Sequence, residues 1–182
     1  MLHQYKSVNL FHAAMLLLVL LLASHAIVAG NEYEEVDWDM LIPADYQPDA
    51  ILDKYGDFSE LADDDPLVQE IMKELEASYK EAPINEEMDS KRVKLPGFVV
   101  PLEGDGKAIS EFLLVPYYGA CIHVPPPPAN QTVFVSVASG KAEIRNAFDV
   151  VWVSGTLSAK SFEHDLATAG YQLEAVTVEP YE

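Results

Sequence analysis

The stretch Tyr118-Gly119-Ala120-Cys121-Ile122-His123-Val124 carries the chain's single cysteine and one of the two histidines that follow residue 30, the other being His164. Residues two apart on an extended backbone face the same way, so Cys121 and His123 would share a side. Thiolate and imidazole are both zinc ligands. The four prolines Pro125–Pro128 follow at once. They fix φ and stiffen the segment, which makes it a rigid strap behind the pair. Asn130, just past the strap, can hydrogen-bond it back onto the loop, and Tyr118 stands at the loop's start.

Three chemistries suit this arrangement. The first is none at all, a small buried thiol beside a satisfied core imidazole. The second is a metal site of Cys121 and His123, completed by His164 or by carboxylates such as Glu163 and Asp165. Zinc takes three or four protein ligands, and only two are local here. The third is a thiol nucleophile activated by His123, although no oxyanion device or orienting acid accompanies it. The cluster Phe162-Glu163-His164-Asp165 is either a solvated turn with a surface histidine or the source of the third ligand.

Residue counts remove other classes. One cysteine allows no intramolecular disulfide, no four-cysteine zinc ribbon and no CxxC redox site. Acidic residues number 30 against 11 Lys plus Arg, a net charge of −19. That balance opposes nucleic-acid binding and docking on anionic lipid, both of which need clustered cations. Asp63-Asp64-Asp65 lacks the alternate spacing and the glycine of an EF-hand loop and reads as a solvated, self-repelling face. In an exported chain the prolines read as a strap rather than as a ligand for an SH3 or WW groove.

Elements must position these residues. Residues 31–90 hold 20 acidic and 3 basic residues, a balance of −17; residues 91–182 hold 10 and 7, a balance of −3. An acidic arm over 31–90 therefore precedes a nearly neutral module over 91–182. Such charge predicts an arm that is extended or weakly docked. Its anchors would be the apolar patch Val36, Trp38, Leu41, Ile42 and Pro43 and one helical face. Asp63-Asp64-Asp65-Pro66 is a helix start, and Leu67, Ile71, Met72 and Leu75 recur at helical spacing up to Pro83. Pro48 opens a shorter helix through Ile51 and Leu52.

The second half reads as strands. Arg92–Leu95 leads through Pro96-Gly97 into Phe98–Leu102, and Glu103–Gly106 is a turn. Phe112–Val115, Thr132–Val137, Val150–Leu157 and Tyr171–Val178 follow, the last with Tyr, Leu, Ala and Thr on one face. Residues 159–168 are expected to hold one or two helical turns. The resulting class is α+β, a small OB-like β-barrel of about five strands preceded by an acidic helical arm, with Gly97 and Gly155 at barrel bends. An open β-sandwich is the alternative.

The first thirty residues read as a signal peptide. Lys6 and the amino terminus are positive, the apolar run Ala13–Ala23 has h-region length, and Val28-Ala29-Gly30 suits a signal peptidase. A membrane anchor needs about 20 apolar residues, and Ser24 and His25 interrupt this run too early. The mature chain is expected to be soluble, periplasmic and without stable membrane insertion.

Several stretches together closely resemble the domain-of-unknown-function 3299 family of exported bacterial proteins. They are Leu95-Pro96-Gly97-Phe98-Val99-Val100-Pro101-Leu102-Glu103, Phe112-Leu113-Leu114-Val115-Pro116, and Gly119-Ala120-Cys121-Ile122-His123 with Pro126-Pro127-Pro128-Ala129-Asn130-Gln131. Val153-Ser154-Gly155, Gly170-Tyr171 with Leu173, and the Trp38–Pro43 stretch also fit. The resemblance implies a periplasmic accessory protein without established catalysis. It also implies a link to zinc shortage and to an ABC transporter permease of the macrolide-exporter type, with zinc as the implied cofactor. This chain lacks the His-rich stretch of high-capacity zinc-capturing proteins.

Processing follows directly. Mass spectrometry of the exported protein should show a chain beginning at Asn31, or failing that at Ile27. A full-length, membrane-embedded product would refute the signal-peptide reading.

Overall fold

The computed structural model describes residues 33–102, 109–119, 126–138, 142, 144, 146 and 148–181. The proposed signal peptide, the Glu103–Gly106 turn and the Cys121/His123 pair lie outside the described residues. In chain order the elements are β1 (Glu34–Glu35), α1 (Pro66–Lys80), β2 (Arg92–Pro101), β3 (Glu111–Val115), β4 (Val133–Val137), β5 (Val150–Ser158), β6 (Phe162–Glu163), β7 (Thr168–Ala169) and β8 (Tyr171–Pro180). Short 3-10 turns cover Trp38–Leu41, Pro48–Lys54, Glu86–Met88 and Ala129–Gln131.

Five strands close on themselves in the order β2-β3-β4-β8-β5 and back to β2, with β1 added on β2. All barrel pairings are antiparallel except β4 with β8, which is parallel. This is a closed, mixed OB-like barrel, as the strand pattern predicts. Closure requires one strand to serve two neighbours. β2 does so by pairing with β5 from Arg92 to Phe98 and with β3 from Phe98 to Pro101.

Alternation decides what fills the barrel. Val93, Leu95, Val99, Phe112, Leu114, Val133, Val135, Val153, Leu157, Tyr171 and Leu173 form one inner cluster. From Phe112 to Val115 β3 is apolar because it is covered on both faces. Leu113 and Val115 point outward into a second cluster with Val100, Phe134, Ala167 and Ala169. On β8 the register slips at Val176: Ala175 faces Gly155, but Thr177 faces Ser154. The extra residue of this bulge inverts the alternation beyond it. Thr177 is therefore exposed and Val178 packs on the core, the reverse of simple alternation. A Cβ on Gly155 would stand 2.2 Å from the Glu174 carbonyl oxygen, so the bulged strand comes this close only against glycine.

Residues 33–182 make one compact unit, and the acidic segment is built into it rather than trailing from it. β1 pairs in parallel with β2. Val36, Leu41 and Met88 are buried in the inner cluster. The Trp38 indole N–H donates to the Pro96 carbonyl at 2.7 Å. The Tyr171 hydroxyl donates to the Leu41 carbonyl at 2.7 Å and accepts from the Asn85 N–H at 2.6 Å. An extended, weakly held arm is thus not what forms. The carboxylates face solvent, and the few apolar side chains between them supply enough burial to dock the segment.

α1 begins as its sequence dictates. The Asp65 side chain caps the Leu67 N–H at 2.8 Å, Pro66 occupies the first turn, and Ile71 and Leu75 are buried. The Tyr55 hydroxyl donates to Glu74, and Lys54 pairs with Glu74 at 3.1 Å, which ties the preceding turn to the helix. Residues 159–168 form no helical turn. Phe162 and Glu163 pair with Ala169 and Thr168 as a hairpin, held because Phe162 stacks on Phe134 with ring centroids 3.8 Å apart.

Tyr171→Phe should cost about 1–3 kcal/mol, since the buried Leu41 carbonyl and the half-buried Asn85 N–H lose their shared partner. Urea denaturation should still give one transition, with arm and barrel unfolding together; two separated transitions would contradict this packing. Burial pushes the Tyr171 phenol from 10.0 up to about 12. Its stabilising share is complete below pH 10 and is lost as pH rises through 12. The Phe variant should lack that share, whereas Tyr55, held up to about 12 chiefly by its bond to Glu74, keeps its own.

Candidate functional site

The proline strap enters the described structure at Pro126 and is buried from Pro127 onward. Its anchorage is local and dense. The Gln131 N–H donates to the Pro128 carbonyl at 2.8 Å, and the Thr132 hydroxyl donates to the same oxygen at 3.2 Å. The Gly170 N–H donates to the Ala129 carbonyl at 2.7 Å. Gly170 permits this approach, because a Cβ there would stand 2.6 Å from Ile84 Cγ2 and 2.7 Å from the Ala129 oxygen.

Asn130 is fully buried, and its amide donates to the Pro83 carbonyl at 2.8 Å. It thereby fastens the strap to the segment after α1. Its Oδ1 is buried and has no hydrogen-bond partner among the described residues.

His164 opens the turn between β6 and β7. Its N–H donates to the Ala167 carbonyl at 3.2 Å, and its Nδ1 accepts the Leu166 N–H at 3.2 Å. The ring lies near-parallel to Phe162, with centroids 6.4 Å apart. Lys80, at the end of α1, pairs with Glu163 at 3.1 Å and so clips the helix to the hairpin. Between helix, strap and hairpin lies a cavity of about 120 Å³ that includes Glu76, Pro126, Pro127, His164 and Asp165 in its walls.

Tyr118 is 73% exposed, yet its ring meets Phe98 edge-on at 6.1 Å and Phe148 at 5.3 Å. Phe98, Phe148 and Phe162 all pack on the outer cluster of the barrel. One continuous apolar layer therefore runs from Tyr118 to the hairpin that carries His164. Phe148 holds its place at a φ of 66°, which is strained for a bulky residue, and its N–H bonds to the Val99 carbonyl at 2.7 Å. Nothing in the amino-acid pattern pointed to Phe148, because a left-handed aromatic has no sequence signature.

Six residues join Gly119 to Pro126, Cys121 and His123 among them, and they lie outside the described residues. Among the described residues no three His, Cys, Asp or Glu side chains come together. The groove's donors suit zinc by type, imidazole nitrogen and carboxylate oxygen. The tautomer discriminates between them. Because Nδ1 of His164 accepts an N–H, the neutral ring carries its proton on Nε2. Ligation through Nε2 would move that proton to Nδ1 and break the Leu166 bond. Asp165 lines the same cavity and would coordinate at no such cost, whereas Glu163 is engaged by Lys80.

Fold and groove define a small OB-like barrel with a strapped outer face, a class that many unrelated activities share. Residues 38–180 match the family described as protein of unknown function, DUF3299, and the chain belongs to that family. The chain is similar to a DUF3299 family protein from Pseudomonas aeruginosa PAO1, known from a crystal structure. The two are 38% identical, with a TM-score of 0.61, over 84% of this chain and 98% of that one. No curated protein matches the chain.

The strap's seat is testable. Gly170→Ala should destabilise the fold by about 1–3 kcal/mol through overpacking against backbone. It should also speed amide exchange at Gln131 and Thr132 more than at β2. Uniform exchange changes across both segments would show that Gly170 has no special bearing on the strap.

Proposed function

We propose that the chain is an exported, soluble accessory protein of the periplasm, zinc-linked and working beside an ABC transporter permease of the macrolide-exporter type. The observation that supports this most is the shared cavity. His164 and Asp165 border the same space as Pro126 and Pro127, and Pro126 is three residues from His123. Cys121 and His123 would supply the two strap ligands, and Asp165 or His164 the third. The transporter link rests on the family resemblance; the exposed Tyr117, Tyr118 and Leu166 near this face suit contact with such a partner.

Bound zinc would supply a cross-link between strap and hairpin. The protein's part would be to offer a thiolate and a neutral imidazole, the protonation states that bind metal. Binding should weaken as pH falls through about 6.5, where imidazole protonates.

Calorimetry on metal-stripped protein is the test. Micromolar zinc should bind and raise the melting temperature by mass action. Cys121→Ser and His123→Ala should abolish both effects. Asp165→Asn should weaken binding roughly 10-fold or more, while substituting Asp63–Asp65 should change nothing. A thiol reagent should modify Cys121 only after chelator is added. Absence of any zinc-dependent heat or melting shift would remove the metal reading. Fast thiol modification with or without chelator would instead favour a thiol-dependent enzyme. An inert thiol would favour a structural partner of the transporter.

A further inference from the structure

The segment between Leu41 and Asn85 leaves the barrel and returns to the point it left. The Tyr171 hydroxyl holds both ends, donating to the Leu41 carbonyl at 2.7 Å and accepting the Asn85 N–H at 2.6 Å. The Asn85 side-chain amide closes the same point by donating to the Met40 carbonyl at 2.8 Å. Just inside the second end, the Pro83 carbonyl accepts from Asn130, and Ile84 packs on the inner cluster. Residues 43–82 therefore stand on a narrow foot.

Beyond the foot these residues build a small core of their own. Of the regular elements, α1 packs chiefly on the 3-10 turn Pro48–Lys54. Glu74 of α1 accepts from Tyr55 and pairs with Lys54, and Gln69 donates to the Asp63 carbonyl at 2.7 Å. Ile71 and Leu75 are buried, yet they belong to neither of the clusters that fill and coat the barrel. At its far end α1 supplies Glu76 and Lys80 to the cavity whose other walls are the strap and the β6–β7 hairpin. Lys80 ties α1 across that cavity to Glu163, but the two side chains are 59% and 65% exposed, so the tie is weak. Like charge works against closure. Residues 43–82 hold 12 acidic and 3 basic residues, a balance of −9, and the hairpin they face adds Glu163 and Asp165.

We propose that residues 43–82 are a hinged lid on the strap–hairpin cavity, turning about the foot at Tyr171 and latched by Lys80 on Glu163. The turning points are Ile42-Pro43 and Ala82-Pro83, at the two ends of the lid, where backbone outside regular elements absorbs the change. Opening breaks the latch and the contacts across the cavity but leaves the lid's own core whole. It is therefore a local opening, reached well below the free energy of global unfolding. Such an opening is compatible with a single urea transition, because it is a minor state of the folded protein. The lid regulates entry to the cavity on which the zinc reading rests, and its own motion needs no metal.

The test is native-state hydrogen exchange on the metal-stripped mature protein, followed by NMR. The α1 amides from Ile71 to Lys80 should share one opening constant and be at least about 10-fold less protected than Leu95 and Val153 in the barrel. Lys80→Met and Glu163→Gln should each speed α1 exchange about 2–5-fold, the scale of an exposed ion pair, and leave Leu95 and Val153 unchanged. Cover of the cavity is read separately. In a Cys121→Ser background, Thr168→Cys places a thiol on the hairpin wall, and Lys80→Met should speed its modification by the same factor as α1 exchange. Opening of α1 only together with the barrel would overturn the proposal. So would unrelated exchange rates along α1, which would mean fraying rather than a hinged body. Modification at Thr168→Cys that ignores a latch change known to speed α1 exchange would show that α1 does not cover the cavity, and would overturn it equally. No step here uses zinc, so absence of zinc binding would remove the metal reading and leave these results to decide the lid.

Discussion

One phenol joins the acidic segment to the barrel at its centre. Tyr171 is fully buried, and its hydroxyl reaches Leu41 and Asn85, residues that lie 130 and 86 positions away along the chain. The hydroxyl has one proton to give and lone pairs to accept with, and both capacities are used. In a low-dielectric interior such a node is worth keeping whole, because losing one member strands the others without water. The acidic segment can therefore join the barrel despite its charge. Its carboxylates stay wet, and what enters the core is apolar side chain and neutral backbone.

The barrel's irregularities matter as much as its regular strands. β2 must change partners at Gly97–Phe98 for the sheet to close. β8 must carry an extra residue at Val176, and Gly155 must lack a Cβ for β8 to pass. These features set which side chains leave the inner core. Leu113, Val115 and Phe134 are left on the outside, where Phe162 covers them and brings the His164 hairpin with it. The same bulge turns Val178 onto the inner core.

The strap and the hairpin meet through backbone and apolar contacts rather than through charge. Ala129 accepts from Gly170, Asn130 donates to Pro83, and the ion pair between Lys80 and Glu163 lies exposed above them. Exposed pairs contribute little to stability. The arrangement is consequently insensitive to salt in its framework while its rim stays polar and accessible, a division suited to a binding face.

Much of the architecture was legible from residue order. Alternation in Arg92–Leu102, Val133–Val137 and Tyr171–Ala175, the Asp65-Pro66 cap and the 3.6-residue spacing of Ile71 and Leu75 are local patterns, and local patterns survive folding when packing agrees with them. The family resemblance rested on equally local motifs. Three features depended on contacts distant in sequence. Charge suggested a loose arm, but burial of Val36, Leu41 and Met88 outweighs repulsion among solvated carboxylates. Residues 159–168 lack a strong helical pattern of their own, so the stack of Phe162 on Phe134 decides for a hairpin. His164 and Pro126 are 38 positions apart, and only the parallel pairing of β4 with β8 sets Gly170 against Ala129 and brings their cavity into being. Strand propensity has no knowledge of which strand will be the neighbour; closure of the barrel supplies it.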